Sequence, residues 1–175
     1  MELEIDVKKD RDLSEREYED VLSLCSRAFE TDYRVFLDTF HGAAHVLGYY
    51  ENRLVSHALW ITRWLQAGDR PLMRTAYVEG VATEEACRNR GFASAVMTRL
   101  GKEIVGFDLG GLCTGYLDFY SRFGWRQWKG PLFIRRDGGL VPTPAEIVMV
   151  LLLPDSPPLD LTASLSAEWR EGELW

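Results

Sequence analysis

The residues able to do chemistry are concentrated between Val78 and Leu100, where Glu79-Gly80-Val81-Ala82-Thr83 is followed closely by Arg88-Asn89-Arg90-Gly91-Phe92-Ala93. Arg88 and Arg90 bring positive charge to the point where a helix would open. A helix N-terminus adds unsatisfied backbone N–H groups and a partial positive charge of its own. Gly91 lets the backbone approach an anion with no Cβ in the way, and the small Ala93 keeps the next turn close. Together these residues describe a pyrophosphate cradle. They also suit a surface helix that merely opens on Arg and Gly, and the strand ahead of them favours the cradle.

Regular elements must hold this stretch in place. Tyr77, Val78 and Val81 are strand formers, and Phe92, Val96, Leu100 and Ile104 recur every fourth residue, which predicts a buried helix face from Gly91 to about Val105. Upstream, Leu3, Ile5 and Val7 alternate with charges as an edge strand does, and Asp12-Leu13-Ser14-Glu15 caps a helix through Tyr18, Val21, Leu22, Cys25 and Phe29. The segment from Thr31 to His45 predicts a loop and short helix beside a cleft. His45–Tyr50 and Leu54–Leu65 form strands around Glu51-Asn52-Arg53, and Arg74–Ala82 forms the central strand after a loop at Gly68-Asp69-Arg70-Pro71. His45 and His57 read as satisfied strand histidines, and Cys25 as a small buried hydrophobe. Downstream come a short strand at Leu109–Cys113, a short helix carrying Phe119, Tyr120 and Phe123, and strands at Trp125–Trp128, Ile147–Leu153 and Leu161–Trp169. Pro154, Pro157 and Pro158 separate the last two.

With 175 residues and 46% hydrophobic composition, the chain is expected to form one domain over residues 1–175 with a sizeable core of mixed α/β class. A net charge of −7 argues against nucleic acid or an anionic membrane surface as partner and suits a cationic small molecule. The charged opening Met1-Glu2-Leu3-Glu4-Ile5-Asp6 and the lack of any long apolar run predict a cytoplasmic protein. The three cysteines, Cys25, Cys87 and Cys113, are odd in number and have no metal-like spacing, so thiols are expected and no metal site. Tryptophans near the tail, Trp169 and Trp175, suggest exposed indoles at an interface or a ligand wall.

The strand, R-x-x-G-x-A and amphipathic helix, followed by Phe119-Tyr120-Ser121-Arg122-Phe123-Gly124-Trp125, resemble the acetyl-CoA core of the GNAT N-acetyltransferases. More narrowly, Tyr77-Val78-Glu79-Gly80-Val81, the Gly124-Trp125-x-x-Trp128-x-Gly130 run, and the tail Asp160-x-x-Ala163-x-Leu165 to Trp169-Arg170-x-Gly172-x-x-Trp175 resemble the aminoglycoside 2'-N-acetyltransferases, from about Ala28 to the last residue. That resemblance implies a GNAT fold, in which a mixed central sheet flanked by helices splays two strands apart for acetyl-CoA. It also implies transfer of acetyl to the 2'-amine of an aminoglycoside, an antibiotic-resistance activity, by a homodimer.

Residue roles follow from the resemblance. Glu79 is expected to act as a water-mediated base and Tyr120 as the acid that protonates the departing sulfur. The Val81 N–H would face the thioester oxygen, Ala82 and Thr83 would pair with pantetheine, and Arg88, Asn89, Arg90, Gly91, Phe92 and Ala93 would hold the pyrophosphate. For the cationic acceptor, the resemblance implies contacts from Asp32, Asp38, Glu79, the Gly80 backbone, Cys113, Glu146 and the α-carboxylate of Trp175. The sequence departs from the family pattern at Tyr33 to Leu37, which lacks the usual polar residues, and between Leu112 and Tyr120, which is two residues shorter with Cys113-Thr114 where serines are usual. A GNAT enzyme acting on a polyamine or a peptide N-terminus, and a non-catalytic CoA-binding or drug-binding module, fit the same residues. Cys113 beside the cofactor strand also admits an acetyl-cysteine route.

Overall fold

The computed structural model describes residues 2–172 and 174–175. The chain forms two compact units, Met1–Ile61 with Val78–Glu103, and Thr62–Tyr77 with Ile104–Trp175.

The first unit contains β1 (Glu4–Lys9), α1 (Glu15–Phe29), the short α2 (Arg34–Leu37), β2 (Ala44–Tyr50), the first part of β3 (Arg53–Ala67), the end of β4 (Met73–Thr83) and α3 (Phe92–Glu103). β2 lies between β1 and β3, antiparallel to both. The turn between β2 and β3 places Glu51 and Asn52 at positive φ, the geometry that a two-residue hairpin needs. Ser14 caps α1, accepting from the Glu17 N–H at 3.2 Å, while the Ser14 N–H donates to Glu17 at 2.9 Å. Glu17 also bonds Lys8 at 2.7 Å, which ties α1 to β1 and, with the cap, lowers its carboxyl to about 2.

Cross-strand partners fix which face each helix covers. His57 pairs with Leu47 and Ser56 with Gly48, so His57 and Gly48 point to opposite faces. Cys25 of α1 lies 3.7 Å from the His57 ring, whereas a Cβ on Gly48 would fall 3.1 Å from Val96 of α3. Thus α1 packs on one face and α3 on the other. The buried residues of α3 are Phe92, Val96, Met97 and Leu100, with Ile104 just beyond, as the four-residue spacing predicts.

The second unit takes the end of β3 and the start of β4 and adds β5 (Leu109–Cys113), α4 (Leu117–Ser121), β6 (Arg126–Gln127), β7 (Leu132–Arg136), β8 (Gly139–Pro142), β9 (Val148–Leu152) and β10 (Leu165–Glu168). Its strands run in the order β6, β9, β5, β4, β3, β10, β7, β8. The β4–β5 and β7–β10 pairs are parallel, so the sheet is mixed. The β4–β5 ladder ends at Tyr77↔Gly111 although both strands run on, the expected signature of a splayed pair. Gly111 is required there, since a Cβ would fall 2.9 Å from the Tyr77 ring.

The strand expected over Trp125–Trp128 is only Arg126–Gln127, because Trp125 and Trp128 turn inward and are buried. The tail strand is likewise confined to Leu165–Glu168. The tail returns to buried Arg63, whose guanidinium donates to the carbonyls of Glu168 at 2.7 Å and Leu174 at 2.8 Å. The exposed-indole expectation fails at Trp175, which is buried with its indole N–H on the Thr143 hydroxyl at 2.7 Å; Trp169 is exposed.

Candidate active site

Between β4 and α3 the chain turns through left-handed backbone at Asn89, φ 61°, and Gly91, φ 82°. At Gly91 a Cβ would meet no atom within 4 Å, so its positive φ is the local reason for glycine. Arg88, Asn89, Arg90 and Gly91 are exposed, and the twelve-residue α3 begins immediately after them. Arg90 is held in place: its guanidinium lies 4.3 Å from the Tyr50 ring centroid and 4.9 Å from that of Phe92. A hydrogen bond with Tyr50 raises its pKa further. Tyr50 had no assigned role in the sequence; only the fold brings the end of β2 to this loop. Exposed arginines, two left-handed residues and an open helix start fit a pyrophosphate, as the sequence predicts.

Upstream in the same unit, Glu79 is half-buried in β4 and Gly80 adopts φ 57°. The Gly80 carbonyl accepts from His57 Nδ1 at 2.8 Å and lies 3.8 Å from Cys25 Sγ. A Cβ on Gly80 would fall 3.4 Å from both the Tyr33 hydroxyl and the His57 ring. His57 Nε2 in turn lies 3.0 Å from His45 Nδ1. Both imidazoles are buried, and desolvation pushes His57 down to about 3 and His45 to about 4. Ser56 and Thr83 hydroxyls bond at 2.8 Å just beyond the bulge.

Asp32 is exposed, and its carboxylate accepts the Arg34 N–H at 3.1 Å at the start of α2. Asp38 accepts the Tyr18 hydroxyl at 2.5 Å, and that bond, after burial, raises Tyr18 to about 12. Between these acids Tyr33 is buried in rings, 5.0 Å from Phe29, 5.4 Å from Phe36 and 6.4 Å from Phe40.

In the second unit, Tyr120 on α4 is buried, edge-on to Phe119 at 4.9 Å and to Trp125 at 6.3 Å. Cys113 at the end of β5 donates to the Glu146 carboxylate at 3.3 Å. The Glu146 N–H donates to the Thr143 carbonyl at 3.3 Å, and Thr143 also receives the Trp175 indole. Cys113, Glu146 and Trp175, expected separately at the acceptor side, therefore meet in one cluster.

The sequence model described as an acetyltransferase (GNAT) domain matches residues 9–128. The chain belongs to the GNAT acetyltransferase family. This GNAT chain is 32% identical over 173 residues to an aminoglycoside 2'-N-acetyltransferase of Mycolicibacterium fortuitum, covering 94% of this chain and 88% of that one. Among solved structures, the Escherichia coli GNAT family N-acetyltransferase YhbS in complex with CoA matches with a TM-score of 0.66 at 16% identity, over 98% of this chain and 92% of that one. Escherichia coli ElaA matches with a TM-score of 0.64 at 18% identity, over 86% of this chain and 99% of that one. Those two likenesses establish the GNAT fold, with acetyl-CoA the acyl donor of the family.

Proposed function

We propose that this GNAT enzyme is an acetyl-CoA-dependent aminoglycoside 2'-N-acetyltransferase that works by direct transfer within one catalytic domain over residues 1–175. The reading rests on its likeness to the Mycolicibacterium fortuitum enzyme along 94% of the chain. Bound acetyl-CoA supplies a thioester-activated acetyl group. Arg88 to Ala93 hold its pyrophosphate, with backbone from Val81 to Thr83 alongside the pantetheine. Glu79 takes the amine proton through water as the acceptor nitrogen forms the C–N bond. The Val81 N–H donates to the carbonyl oxygen, and Tyr120 protonates the sulfur released when the C–S bond breaks. Asp32, Asp38, Glu146 and Trp175 form the acceptor wall. A cytoplasmic homodimer is the expected working state; no helix among the described residues is long and apolar enough to cross a membrane.

The aromatic cluster of Phe29, Tyr33, Phe36 and Phe40 beside Gly80 supports a second reading, acetylation of another amine with an apolar portion. Kanamycin B carries a 2'-amine and kanamycin A a 2'-hydroxyl, so CoA release with each, followed by a thiol reagent, separates the two. Turnover of kanamycin B far above kanamycin A is expected. Comparable kcat/KM for the pair, or turnover of neither alongside turnover of a polyamine, rejects the 2' assignment.

A further inference from the structure

The two histidines buried behind the Gly80 bulge have no place in the transfer steps above, yet their bonds end on a peptide that does. The Gly80 carbonyl can only accept, so the 2.8 Å contact requires a proton on His57 Nδ1. Burial keeps both rings neutral, and a neutral imidazole has one donor and one acceptor. His57 Nε2 is therefore an acceptor, and the 3.0 Å contact requires the proton on His45 Nδ1. The chain of bonds has one direction, from His45 through His57 to the Gly80 carbonyl.

That carbonyl shares a peptide plane with the Val81 N–H. The bond is trans, so the two groups point in opposite directions. Fixing the carbonyl toward His57, on the α1 side, aims the N–H away from it. Gly80 at φ 57° lacks the steric restraint that a side chain would place on this plane. The plane is held from outside the strand.

We propose that His57, locked as the Nδ1–H tautomer by His45, is a positioning residue that aims the Val81 N–H at the oxygen of the acyl group. This rests on the acetyltransferase reading. Removal of one preorganised donor to such an oxygen costs about 10²–10³-fold in kcat, and misaiming it costs part of that. Asn places its amide nitrogen near the Nδ1 position and preserves a donor; Leu does not.

The test uses the full chain in two parts. In the wild type with 15N-labelled histidine, long-range 1H–15N correlation at neutral pH is expected to show His45 and His57 both as Nδ1–H tautomers; an Nε2–H tautomer at His57 overturns the anchor. In kinetics, His57→Leu should lower kcat by about 10- to 100-fold with KM for acetyl-CoA within about twofold, and His57→Asn should recover most of the loss. Folded His57→Leu with native kcat, or equal loss in both variants, overturns the positioning role. The tautomer measurement needs neither folded variants nor a known acceptor. If the wild type releases no CoA with any amine, the acetyltransferase reading fails on its own, while the histidine spectrum still decides whether His57 anchors Gly80.

Discussion

Tyr120 shows how one side chain can satisfy packing and chemistry together. Its ring is buried edge-on to Phe119 and Trp125, which by itself would suit any aromatic residue. Only its hydroxyl would matter to the leaving sulfur. Tyr120→Phe keeps the ring contacts and removes the oxygen, so kcat should fall by about 10²-fold or more while KM for acetyl-CoA and thermal stability stay near native values. Unchanged kcat under conditions where chemistry limits turnover would return Tyr120 to the core. Gly130 has the opposite character, since a Cβ there would fall 1.8 Å from the Ala163 carbonyl, which also accepts the Trp128 indole at 2.8 Å. Two separated stretches of the family pattern, Trp128-x-Gly130 and Asp160-x-x-Ala163, are thus one packing contact. The sequence displayed both stretches but not their meeting, because nothing local encodes a contact between residues so far apart. The histidine pair was hidden similarly: reading His45 and His57 as satisfied strand histidines is correct, and what satisfies His57 is the Gly80 carbonyl on a neighbouring strand.

Among elements, the loop into α3 was the most legible, since its charges, its left-handed residues and the helix face that buries Phe92, Val96 and Leu100 all lie in one continuous stretch. The β7–β8 hairpin was missed although it turns on Asp137 and Gly138, at φ 52° and 77°, an Asp-Gly pair of the kind that two-residue hairpins favour. Its strands are short and β8 is exposed throughout, leaving little alternation to detect. The contact between β2 and the loop was also invisible, and it carries a prediction. Tyr50 stacks with Arg90 and bonds to it, presetting an otherwise flexible cation. Arg90→Ala should raise KM for acetyl-CoA by about 10-fold or more with kcat little changed, the scale of one charge-assisted contact. Tyr50→Ala should give a smaller rise of the same kind, since the charge remains but its orientation is lost. Native KM in Arg90→Ala, measured at low salt, would remove Arg90 from the cradle.

At the scale of the whole molecule, the buried titratable groups set both ends of the pH range over which the fold is stable. His57 and His45 are pushed down to about 3 and about 4 by burial; the His45 charge also disfavours protonation of His57, while the Gly80 carbonyl and Asp10 oppose the two shifts. In the unfolded chain both titrate near 6.5. Below that pH the unfolded state takes up protons that the folded state refuses, so stability is full above about 6.5 and declines through the folded values as acid is added. Each such proton gives a slope of about 1.4 kcal/mol per pH unit. Glu17, lowered from 4.5 to about 2 chiefly by Lys8, adds a loss in the same direction between those values. At the alkaline end, burial raises Cys25 from 9.0 to about 12, and burial with the Asp38 bond raises Tyr18 from 10.0 to about 12. These groups stabilise fully below their unfolded values and lose that contribution as pH rises toward 12. Urea midpoints should therefore form a plateau between about pH 6.5 and 9, with an acid limb steepest between about pH 6 and 4. Urea suits the acid limb better than heat, because the pI near 5.0 leaves unfolded chains with little net charge to keep them apart. The double variant His45→Gln, His57→Asn removes both titrations, so its midpoint between pH 6.5 and 4.5 should be nearly flat even if its plateau is lower. A double variant whose acid limb matches the wild type would assign acid sensitivity to the surface carboxylates and leave the histidine pair without a part in it.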